Sequence, residues 1–202
     1  MEIEKGDIAV VIGNTGGIGH SLFKTLEKDK RFAKVYGFNR HQKPILDLFE
    51  ESSIENVAKL ITTNKEKIKL LFIATGFLHD NKKYPEKKIS DIDENFIKNT
   101  FFINTIGVAL VIKHFCPLMD HLKKSHLICL SARVGSIEDN FLGGWYSYRA
   151  SKAALNQIMK TCAIEFKRKK SELIFLSMHP GTVKTKLSEP FANPNRKMFS
   201  PE

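Results

Sequence analysis

A tyrosine and a lysine four residues apart, Tyr148 and Lys152, are the pair in this 202-residue chain best suited to moving a proton. They open a helical pattern that continues through Leu155, Ile158, Met159, Ala163 and Phe166. At that spacing on a helix their side chains share one face. A phenol with its ordinary pKa near ~10 is a poor acid or base at neutral pH, and a neighbouring ammonium lowers it by favouring phenolate. Such a tyrosine could exchange a proton with a hydroxyl or carbonyl oxygen while hydride moves at the same carbon. A lone Tyr-x-x-x-Lys is common, so its meaning depends on what the rest of the chain supplies.

The second chemical feature is the turn Gly13-Asn14-Thr15-Gly16-Gly17-Ile18-Gly19. It follows the apolar run Ile8–Ile12 and enters a helical pattern with Ile18, Leu22, Phe23 and Leu26 on one face. Strand, glycine turn and helix together can cradle a dinucleotide pyrophosphate, the anion lying on the unpaired N–H groups of the helix start. The spacing is Gly-x-x-x-Gly-x-Gly, not the commoner Gly-x-Gly-x-x-Gly, and a tight turn without a ligand is the alternative. After a second short strand, Ala33–Phe38, come Asn39 and Arg40, with His41 and Lys43 close behind. An acid near this point usually holds the ribose hydroxyls of a cofactor without a 2′-phosphate. An amide beside a guanidinium favours NADP(H) over NAD(H) instead.

Further strands are expected at Pro44–Leu48, Lys69–Ala74, His126–Ser131 and Glu172–Met178. With the intervening helices they predict an α/β fold, a doubly wound, Rossmann-like parallel sheet of six strands within one domain over residues 1–202. Ligands lie along the carboxyl ends of such strands. That edge collects Asp47 and Leu48, Ala74-Thr75-Gly76, Ser131 with Ala132 and Ser136, and Pro180-Gly181-Thr182-Val183 with Thr185. Asp47 could accept from an adenine amino group or serve as a turn or cap residue. Ser52 or Ser53 is expected to cap the helix that follows. A long helix from about Asp91 to Phe115 is apolar nearly all round, which predicts burial, and Asn104 in its densest part requires a hydrogen-bonding role.

Composition narrows the classes. The chain is 42% hydrophobic and 27% charged, as expected of a globular protein, and no apolar run approaches the ~18 residues of a membrane span. The acidic N-terminus is unlike a secretory signal, and Cys116, Cys129 and Cys162 are too scattered for disulfides or a metal, which suggests a cytoplasmic protein. The net charge of +10 raises a nucleic-acid partner, but the basic residues are dispersed, and Lys167–Lys170 falls where a helix should end. His114, His121 and His126 lack metal-ligand spacing and read as surface residues; His179 reads as a packed loop residue. Phe141, Trp145 and Tyr146 could line an apolar substrate site or pack their own loop.

These motifs, in this order over nearly the whole chain, resemble the short-chain dehydrogenase/reductase family, and more narrowly its C-factor-like branch. They include the Gly13–Gly19 turn, Asn104, Gly135-Ser136-Ile137, Asp139-Asn140, Tyr148-x-x-x-Lys152 with Ala153-Ala154-Leu155-Asn156, and Pro180-Gly181-Thr182-Val183-x-Thr185. The resemblance implies hydride transfer between NAD(P) and a carbonyl or secondary alcohol. Tyr148 would be the acid/base, and Lys152 would tune it and hold the nicotinamide ribose. Asn104 would keep a water in the proton relay, and residues 180–185 would line the nicotinamide. It also implies a homodimer or tetramer formed through the two long helices, a small-molecule substrate, and neither nucleic acid nor membrane as partner.

Three departures from the family pattern stand out. Ile73-Ala74-Thr75-Gly76 replaces Asn-Asn-Ala-Gly, so contacts there must come from backbone or from Thr75. The substrate-orienting serine of a Ser-x-x-Gly motif is Ala132 here, leaving Ser131, on the opposite strand face, or Ser136, in the loop, as possible replacements. The chain ends at Ser200-Pro201-Glu202, where relatives continue through a helix and a seventh strand. The last two features support an alternative, a dinucleotide-binding regulatory or signalling protein with little or no turnover.

Overall fold

A computed structural model describes residues 3–4, 6–62, 67–192 and 197–201. Its first strand, β1 (Asp7–Ile12), is buried at every position, as its apolar run requires. β2 (Lys34–Phe38) pairs with one side of β1 and β3 (Lys67–Ile73) with the other, Val10 lying opposite both Tyr36 and Leu71. β4 (Ser125–Leu130) and β5 (Leu173–Met178) extend the sheet, which is parallel throughout in the order β2-β1-β3-β4-β5. The chain therefore reverses its direction of travel between β1 and β3, the place where such sheets open a crevice beyond their carboxyl ends.

The sheet has five strands, not six. Pro44–Leu48 forms only a bridge between Asn39 and Ile45, with Leu46 N–H donating to Asn39 C=O at 3.0 Å. Proline removes one ladder donor, and the short segment turns straight into a helix. That helix, α2 (Glu51–Thr62), starts before the predicted caps. Ser53 is inside it, donating to the Asp47 and Glu50 carbonyls at 2.9 and 2.7 Å and accepting from Asp47 N–H at 2.9 Å. Among the described residues no strand follows β5, which leaves Leu176 and Met178 about two-fifths exposed at 41% and 39%.

α1 (Gly17–Lys28) covers one face of the sheet, burying Leu26 against Ala9, Val11, Leu70 and Phe72. The opposite face carries the larger core, in which Ile54, Val57 and Ile61 of α2 meet Val10, Ile12 and Leu71. The predicted long helix begins later and is interrupted. α3 (Glu94–Phe101) is capped by the Asp93 carboxylate, which accepts from Phe96 N–H at 2.8 Å. A π-helical turn over Phe102–Ile106 separates it from α4 (Gly107–Phe115). The helical run Glu94–Leu118 is long and apolar enough to cross a membrane, contrary to the sequence expectation, but here Val108, Val111, Ile112 and Phe115 pack in the core. α5 (Tyr146–Arg168) lies beside it and ends at the basic cluster, as predicted.

Candidate active site

The glycine turn is built for close approach. Gly13 N–H donates to Phe38 C=O at 2.8 Å, and Ala74 N–H to Ile12 C=O at 2.8 Å, so the turn is fixed between its two neighbouring strands. A Cβ at Gly19 would strike the Gly13 carbonyl oxygen and come within 2.9 Å of Ala74 Cβ, so α1 packs this tightly only with glycine there. The residue preceding α1, Gly16, offers no side-chain cap. The first-turn N–H groups are thus left to a ligand or solvent, as an anion site requires. Across the turn, the Thr75 hydroxyl is buried without a hydrogen-bond partner among the described residues. A bare glycine cradle, an uncapped helix start and an orphaned hydroxyl fit a polar dinucleotide.

These groups line one open cleft of about 1920 Å³, which also takes in Tyr148, Lys152, Leu130–Val134 and His179–Val183. Of the predicted cofactor residues it includes Thr15, Gly16, Gly17, Ile18, Ala74, Thr75, Gly76, Pro180, Gly181, Thr182, Val183 and Thr185. Gly13 and Gly19 shape the turn from behind. Asn14 and Asn39 form a buried pair, Asn39 Nδ2 donating to Asn14 Oδ1 at 2.8 Å, which ties the turn to the end of β2. Arg40 is exposed at the same strand end, its Nε 3.3 Å from His41 Nε2. Asp47 makes a local turn, its carboxylate accepting from Phe49 N–H at 3.0 Å, and the Leu48 side chain is buried beneath Gly107.

Tyr148 and Lys152 are both almost fully buried on α5. Lys152 Nζ donates to Leu130 C=O at 2.8 Å and lies 5.9 Å from the Tyr148 ring centre. The expected lowering of the phenol pKa is overturned here: burial pushes Tyr148 up to about 12. Burial also pushes Lys152 down to about 8, against a smaller opposing pull from Cys129, so removal from water governs both groups. Asn104 sits on the π-helical turn. Its Nδ2 donates to Phe77 C=O at 2.8 Å and to Ser151 Oγ at 3.1 Å, and its Oδ1 accepts from Phe77 N–H at 2.8 Å. It therefore clamps the loop leaving β3 against α5.

Neither candidate serine presents a free hydroxyl donor within the cleft. Ser131 borders the cleft, but its hydroxyl donates to Asn156 Oδ1 at 2.7 Å. Ser136 is exposed outside the cleft lining, accepting from Asp139 N–H at 3.3 Å. Ala132 occupies the lining between Ser131 and Arg133.

Trp145 and Phe141 also line the cleft, whereas Tyr146 does not. Trp145 meets Tyr148 edge-on at 6.2 Å and Phe191 at 5.0 Å, and Phe191 reaches His79 at 5.4 Å. Sequence reasoning missed His79 and Phe191, which only folding brings together. It also misread three histidines. His114 pairs with Glu51 at 2.8 Å, His121 stacks on Phe166 at 5.4 Å, and His126 has a buried Nδ1; all three are half-buried.

Comparison with known proteins gives the family. The family model described as short chain dehydrogenase matches residues 41–196. The chain belongs to that family of oxidoreductases. It is 28% identical over 193 residues to the 1-hydroxy-2-glutathionyl-2-methyl-3-butene dehydrogenase of Rhodococcus sp. (strain AD45), covering 90% of this chain and 80% of that one. The C-signal protein of Myxococcus xanthus is 31% identical over 104 residues, 52% of this chain and 61% of that one. Among solved structures, the NADPH-bound carbonyl reductase from chicken fatty liver superposes with a TM-score of 0.81 at 22% identity, covering 98% and 83% of the two chains.

Proposed function

We propose that this chain is an NADP(H)-dependent oxidoreductase that interconverts a small carbonyl compound and its secondary alcohol, with Tyr148 as the acid/base. The observation that carries this reading is the meeting of Tyr148 and Lys152 with the glycine turn and the orphaned Thr75 hydroxyl in a single cleft. When bound, the nicotinamide would supply or accept the hydride. The Gly13–Gly19 turn and the start of α1 would hold its pyrophosphate, Arg40 its 2′-phosphate, and Thr75 with residues 180–185 the nicotinamide end. The NADPH in the chicken carbonyl reductase structure supports this choice of cofactor.

Burial keeps Tyr148 a neutral phenol at physiological pH, the form that donates a proton to a carbonyl oxygen being reduced. Lys152, with its pKa lowered toward neutrality, can then return a proton to the tyrosine. Trp145, Phe191 and Phe141 give the substrate end an apolar wall, which favours partly apolar substrates.

The test is titration with NADPH and NADH followed by cofactor fluorescence, then turnover of a carbonyl panel. Tyr148→Phe should abolish turnover while leaving NADPH affinity intact. Full turnover in that variant would refute the assignment.

A second reading, a dinucleotide-binding regulatory protein with little turnover, draws support from the serines. The Ser131 hydroxyl is committed to Asn156 and Ser136 lies outside the cleft lining, and losing such a donor lowers rates by about 100-fold or more. NADPH binding without turnover of any panel member would favour it.

A further inference from the structure

α5 begins in an unusual way. Gly143, Gly144 and Trp145 all have left-handed backbone, with φ of 63°, 65° and 53°, and the tryptophan side chain gives the helix no cap. The missing cap comes from a residue 61 positions away. Glu86, only 2% exposed, accepts from Ser147 N–H at 3.2 Å and from the Ser147 hydroxyl through its carboxylate. Its backbone carbonyl accepts from Trp145 N–H at 2.5 Å. Arg149 secures the other side of the junction, donating to the Gly144 and Gly143 carbonyls at 2.9 and 3.1 Å.

A carboxylate at a helix N-terminus satisfies unpaired N–H groups and complements the helix dipole. A local serine or aspartate would do this equally well for helix stability alone. Here the cap comes from the loop that leaves β3 at Thr75-Gly76, and Asn104 clamps that same loop at Phe77. The bonds fall on residues 145 and 147, immediately before Tyr148.

We propose that Glu86 is a positioning residue for Tyr148, setting the phenol of α5 against the carboxyl end of β3. The inference rests on the reading of Tyr148 as acid/base. It moves rate more than affinity: the glycine turn and Arg40, which would hold the pyrophosphate and 2′-phosphate, lie off α5, whereas the phenol's placement depends on Glu86. A displacement of about 1 Å at a reacting group lowers rate by about 100-fold.

The test compares wild type, Glu86→Ala, Glu86→Gln and Ser147→Ala, with NADPH and 4-nitroacetophenone as the probe carbonyl. Glu86→Ala should lower kcat about 30- to 100-fold, with the NADPH Kd within twofold of wild type. Glu86→Gln, which keeps an acceptor oxygen, should recover most of the rate. Should Glu86→Ala fail to fold, Ser147→Ala removes one of the bonds and should lower kcat about threefold or more with unchanged NADPH Kd. A kcat within twofold of wild type in the folded variant would overturn the proposal. So would parallel loss of NADPH affinity and rate, which marks general loosening. A wild type that binds NADPH without turnover would remove the underlying reading of Tyr148, and the Glu86 assignment with it.

Discussion

Lys152 should make the protein less stable, because it is an ammonium group held out of water. Burial moves its pKa from 10.5 to about 8. At pH 7 the group is protonated in both folded and unfolded chains, so that change disfavours the folded state by about 3 kcal/mol. The folded pKa is depressed, so the unfolded chain binds more protons between about pH 8 and 10.5, and the penalty fades as pH rises through that window. At pH 9.5 about 1.4 kcal/mol of it remains. Lys152→Met keeps the length and unbranched shape of the side chain and removes the charge. It also removes the hydrogen bond to Leu130 C=O, worth about 1 kcal/mol. The variant should therefore be about 2 kcal/mol more stable than wild type at pH 7 and nearly equal to it at pH 9.5, while losing turnover. Urea unfolding of both proteins at the two pH values measures this. The difference between them is the observable, because burial raises the Cys116 and Cys129 pKa values and destabilises both proteins as pH rises. A variant less stable than wild type at pH 7, or a difference that does not change with pH, would refute the argument.

Four further substitutions at the site have definite expected outcomes. Gly19→Ala forces a Cβ against Gly13 and Ala74 and should lose about 1–3 kcal/mol, a melting point lower by about 2–12 °C, with weakened NADPH binding. Gly76→Ala, whose Cβ would meet nothing closer than 3.9 Å, should melt near wild type; equal losses in calorimetry would contradict the packing described. Arg40→Ala should weaken NADPH about 10- to 100-fold and leave NADH unchanged in a fluorescence titration. Ala132→Ser should raise kcat about tenfold or more if a missing donor limits the rate, and an unchanged kcat would show that another group already fills that role.

The parts of the fold that were legible in the sequence are those set by neighbours along the chain. The glycine turn and the α5 pair are defined within seven and five residues, and the buried strands by continuous apolar runs. Pro44–Leu48 was misread because its apolar residues fit a strand, whereas the outcome depended on a lost proline donor and an early α2. The break at Phe102–Ile106 left no trace in a pattern that is apolar nearly all round.

The site divides in the same way. Alternation along β4 predicts Ser131 on the face opposite Ala132, but the partner its hydroxyl takes, Asn156 of α5, lies 25 residues away, where no local pattern announces it. The pKa of Tyr148 could not be read from spacing, because four residues along a helix fix proximity to Lys152 but not the amount of water excluded from both. Glu86 was more distant still. Nothing around Tyr84-Pro85-Glu86-Lys87 distinguishes a solvated loop acid from a buried cap, since the groups that make it one belong to residues 145 and 147. One clue was nevertheless present: the stretch Gly143-Gly144-Trp145 before Tyr148 contains no Ser, Thr, Asp or Asn at the start of the helix carrying the proposed acid/base. A helix that must be placed accurately, yet lacks a cap of its own, has to take one from elsewhere in the fold.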